Sequence, residues 1–125
     1  MLEDLSTKHQ PVTNLFAWPG NPEQWNQYRL TDQQINFYQQ NGYVAGIRML
    51  SDEQVETLRD ELNVLTDPSH SGRELFYEYN SNESTDPTTT LFHALGAWRV
   101  GPAFHDLLWN PAFLIPAAQL LGAGR

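Results

Sequence analysis

His105 and Asp106 stand side by side in "AFHDLLWN", residues 103 to 110. Imidazole beside carboxylate is the pairing that holds hard or borderline metals and activates nucleophiles. Spacing argues against a metal here. On a strand, residues two apart point to one face, so a His-x-Asp or His-x-Glu segment can present two ligands, whereas adjacent side chains diverge. None of the four histidines, His9, His70, His93 and His105, has that arrangement, and His105 has no histidine partner at helical spacing. The pair therefore reads as two helix-surface residues, with Asp106 in a first turn where the helix dipole favours a carboxylate.

Other chemistry is no better supported. Asp67, Pro68, Ser69 and His70 form a turn sequence without a second ligand cluster nearby. There is no Gly-x-Ser-x-Gly elbow, no phosphate loop ending in Gly-Lys, no Gly-x-Gly-x-x-Gly turn and no cysteine. His93, Trp98 and Arg99, set among Ala94, Gly96 and Ala97, are the candidate pocket-lining residues, although close helix packing explains the small residues equally well. Catalytic, cofactor-binding and metal-ligating residues are assigned to none of these positions. A hydrolase built on His105 and Asp106 is the weakest reading.

The elements that would position such residues begin from a chain of 125 residues, 40% hydrophobic, with four Trp, five Tyr and six Phe, a composition that predicts packed structure over most of its length. A formal charge of −8 repels phosphate backbones and anionic lipid surfaces, so neither nucleic acid nor membrane is an expected partner. The start "MLEDLSTKHQ" lacks a basic-then-apolar leader, and Pro116 and Gln119 interrupt the longest apolar stretch well short of the roughly 20 residues a span needs. Together with the lack of cysteine, this predicts a soluble, cytoplasmic protein.

Residues 1–29 are expected to form an arm, broken by the turn dipeptides of "WPGNPEQW" and docked through Phe16, Trp18, Trp25 and Tyr28. Residues 30–125 form the helix-rich remainder. Its clearest local signals are "LTDQQI" at 30–35 and "LSDEQV" at 50–55, each a capping box: Thr31 or Ser51 accepts from the backbone three residues on, and Gln34 or Gln54 reaches back. The first helix should stop at Asn41 and Gly42, a strand should follow over about 43–48, and the second helix should turn Val55, Leu58, Leu62 and Leu65 inward. A half-buried strand is expected in "GRELFYEYN", then a polar loop whose Asn82, Glu83 and Ser84 match a glycosylation triplet by chance. From about residue 90 the spacing of Leu91, Leu95 and Trp98 predicts helix, and Pro102 and Pro111 should each open another. The last should kink at Pro116 and close at Gly122. The fold class is thus α+β, mainly helical with a few short strands.

The order of these motifs resembles the N-terminal part of the phytanoyl-CoA dioxygenase family of iron(II)- and 2-oxoglutarate-dependent oxygenases. The resemblance rests on "LTDQQINFYQQNGYVAGIRMLSDEQVETLRDEL" at 30–62 and on "LFHALGAWRVGPAFHDLLWNPAFLIPAAQLLG" at 91–122, which is similar to the helical segment before the family's first long barrel strand. It implies the N-terminal portion of a double-stranded β-helix (jelly-roll) enzyme, with most of the barrel missing. In a complete family protein a His-x-Asp and a distant His hold iron, and 2-oxoglutarate chelates it while an Arg pairs with the far carboxylate. A small organic substrate is then hydroxylated. No residue of this chain matches that metal motif, and the family's occasional Lys before "His-Ala-Leu" falls near Thr90.

The resemblance therefore implies an N-terminal fragment, or a truncated relative, that is inactive alone and binds no cofactor itself. Its barrel-facing surface would be exposed and able to pair two copies into a homodimer. The alternative is a stand-alone, non-catalytic protein-interaction module.

Overall fold

Residues 2–122 are described by a computed structural model. Both capping boxes form as their sequences dictate. Thr31 opens α2 (Asp32–Asn41) and Ser51 opens α3 (Asp52–Leu65), with the Gln side chain of each box returning to the cap backbone. Helix α2 stops at Gly42, whose φ of 79° is open to glycine at little cost and whose N–H reaches Tyr38 O at 2.7 Å.

The arm contains a helix that the turn dipeptides were expected to preclude. Asn21 accepts from Gln24 N, and Pro22 supplies the first residue of α1 (Pro22–Tyr28). This is the same cap-then-proline start that opens α5 (Pro111–Leu120) behind Asn110. Of the arm's four expected anchors, Phe16 is buried and Tyr28 half-buried, while Trp18 and Trp25 remain 40% and 41% exposed.

Two expected elements differ. Residues 90–99 do not form a helix: β2 (His93–Leu95) pairs antiparallel with β1 (Glu78–Asn80), Tyr79 opposite Ala94. Gly96 follows at φ 101°, a left-handed conformation that ends the strand and starts a 3-10 turn, Ala97–Arg99. The strand in "GRELFYEYN" is correspondingly short, because Arg73–Leu75 is a 3-10 turn. Polar side chains shape the hairpin loop. Asn82 Oδ1 accepts from Ser84 N and Leu91 N, and Asp86 accepts from Thr88. Residues 43–48 form no strand; Gly46 has φ 78°, and no described segment pairs with their backbone.

The protein is thus α+β and mostly helical, with one two-stranded sheet; no barrel closes among the described residues. No described helix is long and apolar enough to cross a membrane.

A compact core of Leu65, Phe76 and Val100 joins α3, the hairpin and the 3-10 turn, with Tyr79 packed on it and donating its hydroxyl to Leu65 O at 2.9 Å. Next to this core stands α4 (Pro102–Asp106). Its cap residue is Gly101, which offers no side-chain acceptor, and Pro102 has no N–H. Glu61 on α3 fills the gap, its two carboxylate oxygens each accepting at 2.9 Å, from Ala103 N and Phe104 N. A Cβ at position 101 would lie 2.2 Å from Glu61 Oε1.

Glu61→Ala should therefore lower unfolding free energy by about 1–3 kcal/mol. Gly101→Ala should cost less in that background than in the native chain, a non-additivity measurable by urea denaturation of the single and double variants. Additive effects would show that the carboxylate does not restrict position 101.

Candidate functional site

Helix α4 is short, and its last two residues are His105 and Asp106. Neither is a helix-surface residue: both are fully buried. Asp106 closes α4 and does not lie in a first turn, so the helix dipole is not what holds its charge. The sequence expectation fails because it weighed α4 alone, whereas the arm folds over it.

Four donors converge on the Asp106 carboxylate. Val12 N donates to Oδ1 at 2.9 Å and Thr13 N to Oδ2 at 2.7 Å; Thr13 Oγ1 donates to Oδ2 as well, and His105 Nδ1 lies 3.0 Å from Oδ1. The other ring nitrogen, His105 Nε2, faces Lys8 O at 3.2 Å, and the ring stacks on Trp109 with centroids 4.8 Å apart. Burial pushes the Asp106 carboxyl up, but the hydrogen bonds from Thr13, His105 and Val12 outweigh it and leave the group below its ordinary value.

This geometry leaves little room for catalysis. A metal ligand or general base needs a lone pair facing a reactant, and here both ring nitrogens and both carboxylate oxygens are already engaged with protein. No group of three or more His, Asp or Glu among the described residues is placed to hold a metal ion. The pair works as a latch that fastens the arm to α4.

The pocket-lining candidates are not brought together around one reactant. His93, on β2, faces two carboxylates on the exposed side of the hairpin, Glu78 at 3.0 Å and Glu83 at 3.7 Å. Trp98 is half-buried in the 3-10 turn. Arg99 pairs with Asp4 of the arm and lies over the Tyr77 ring at 4.9 Å. Hydrogen bonding to Arg99, then to Ser6 N–H, holds the Asp4 carboxyl well below the carboxylate range. His70 lies in the expected turn, its Nδ1 accepting from Gly72 N.

Sequence reasoning missed Asp4, Lys8, Thr13 and Glu61. Thr13 and Asp106 are 93 residues apart, and no local pattern announces such a pair. A weak signal did exist: an acidic side chain inside an otherwise apolar run is buried only with partners, so Asp106 called for donors from elsewhere.

Two apolar hollows flank α5. One, of about 280 Å³, lies between α5 and residues 44–49, with Phe113 and Leu120 on its helical side. The other, of about 320 Å³, lies between α5 and α1. In comparison with known proteins, the chain matches no protein-family model and no curated sequence.

Because Asp106 is depressed on folding, its contribution is complete above its ordinary value of 3.8 and is lost as pH falls through the lower folded value. Asp106→Asn should destabilise at neutral pH by about 3–5 kcal/mol, the range for breaking a buried pair. The acid limb of stability against pH, followed by urea denaturation, should also become shallower, with Asp4 supplying part of what remains. An unchanged acid limb would count against the latch.

Proposed function

We propose that this chain is the helical N-terminal portion of an iron(II)- and 2-oxoglutarate-dependent oxygenase of the phytanoyl-CoA dioxygenase type, the part that packs outside the jelly-roll barrel. The observation that carries this reading is the segment after α2. Residues 43–49 run between two capped helices, and their backbone makes no backbone hydrogen bond to any described segment. A side chain ties it to α5, where Asn110 Nδ2 donates to Met49 O, while Arg48 Nε makes only a local bond to Leu50 O. Free backbone donors and acceptors beside an apolar hollow are what a neighbouring strand would satisfy. Tyr43 is 58% exposed and Phe113 54% exposed along the same region, so large apolar surface accompanies the free backbone.

Iron and 2-oxoglutarate would supply oxidation of an unactivated C–H bond in the complete enzyme. His105 and Asp106 do not suit the metal, since His105 Nδ1 faces Asp106 Oδ1 while His105 Nε2 and both Asp106 oxygens are engaged with the arm. No chemical step is assigned to this chain. Its share of the work is mechanical: the Asp106 latch, the Glu61 cap and the Asn110 tie hold α3, α4, α5 and residues 43–49 in the arrangement a barrel would dock against. Hydroxylation of a small organic substrate belongs to the whole protein. A stand-alone interaction module would offer the same free segment to a protein partner.

Reading the coding sequence beyond Arg125 separates the two: a strand bearing His-x-Asp is expected, and a stop codon would overturn the oxygenase reading. Titration of the 125-residue chain with iron(II) and 2-oxoglutarate under anaerobic conditions should give no stoichiometric binding. Tight binding of one iron per chain would contradict the engaged-donor geometry. In isolation the uncovered surface should pair two copies, visible as a dimer by sedimentation equilibrium; a monomer at high concentration would count against that surface.

A further inference from the structure

Helix α5 is apolar apart from Gln119, and its two faces meet different neighbours. Phe113, Pro116, Ala117 and Leu120 border the hollow shared with residues 44–49. Leu114, Ile115 and Ala118 lie on the opposite face, rotated by about 100° per residue, and form the floor of the cavity beneath α1. This second cavity is independent of the surface invoked for a barrel.

Its walls are unusual for an unused space. Trp18 and Trp25 stand over it with ring centroids 5.9 Å apart and planes tilted by 58°. Both indoles keep about two-fifths of their surface exposed, although they sit beside an apolar helix face that could have covered them. The volume of about 320 Å³ is at the small end of ligand pockets, enough for a compact ring system.

The cavity's polar equipment is equally restricted. Gln119 lies at its edge, but its amide is committed to Leu30, accepting from the N–H at 2.7 Å and donating to the carbonyl at 3.3 Å. Arg29, the residue that closes α1, is the one charged side chain on the lining among the described residues, where it makes no ion pair. Among the described residues no carboxylate lines the cavity. A cationic ligand would meet repulsion from Arg29, which is exposed, and a neutral one would leave its guanidinium unengaged. A carboxylate would receive its fork.

We propose that the cavity between α1 and α5 binds a small planar aromatic monocarboxylate, its ring packed against the indoles of Trp18 and Trp25 over the α5 floor and its carboxylate on Arg29. Ring stacking supplies the apolar contact, and the bidentate ion pair selects the charge.

The probe is 2-naphthoate, with the uncharged 2-naphthamide as its near-isostere, each titrated into the 125-residue chain by calorimetry and by tryptophan fluorescence. Naphthoate should bind saturably, one per chain, and change the tryptophan emission. Naphthamide should bind about tenfold more weakly or worse, and Arg29→Gln should erase the difference between the two. Ala118→Phe, which fills the cavity from its floor, should abolish naphthoate binding while the far-ultraviolet circular dichroism stays native. Equal affinities for acid and amide, undiminished naphthoate binding by Arg29→Gln, or no saturable binding would each overturn the proposal.

Discussion

A carboxylate with no exposure to solvent has to be met by donors, because removing its hydration costs several kcal/mol that only close N–H and O–H groups can offset. Asp106 imposes that demand on the rest of this fold. Its neighbour His105 answers part of it, and the backbone and hydroxyl of the arm, at Val12 and Thr13, answer the rest. The arm is therefore not an appendage. By satisfying Asp106 it brings Lys8 O to the far side of the imidazole, Asp4 to Arg99, and Leu5 and Phe16 into buried positions. Gln54 extends the attachment along the chain, giving its oxygen to the capping box of α3 and its amide N–H to Leu15 O.

The same device recurs at three other junctions. Glu61 caps α4 from α3, Asn110 caps α5 while tying it to Met49, and Gln119 pairs with both backbone groups of Leu30. Each is a side chain satisfying backbone groups that local structure leaves open. Their number makes sense beside the modest central core, where Leu65, Phe76 and Val100 are the buried members. Apolar burial alone would leave the relative placement of short helices poorly specified; directional bonds with fixed partners specify it.

Features that depend on a few adjacent residues were legible in the sequence. The capping boxes at Thr31 and Ser51, the stop at Gly42 and the proline starts of α4 and α5 all follow from local stereochemistry, and each formed where expected. The same rule would have found α1 had it been applied to Asn21 and Pro22. Residues 90–99 misled because Leu91, Leu95 and Trp98 have helical spacing; their fate was set by Gly96 and by the pairing of Ala94 with Tyr79. Residues 43–48 carry strand-forming side chains, but a strand exists only against a partner, and none is at hand among the described residues. For the candidate site, the spacing of His105 and Asp106 could not place them inside the protein. Burial there is decided by chain more than 90 residues away.

The arm's attachment to Asp106 is the constraint on which the remaining architecture rests, and native-state hydrogen exchange at the Val12 and Thr13 amides tests this directly. Val12 keeps 38% of its surface exposed, so burial alone does not account for protection of its N–H. If the Asp106 carboxylate holds it, both amides exchange as slowly as those of α4, in a single cooperative opening. Exchange of Val12 and Thr13 at the rate of a free loop, while α4 stays protected, would contradict the account.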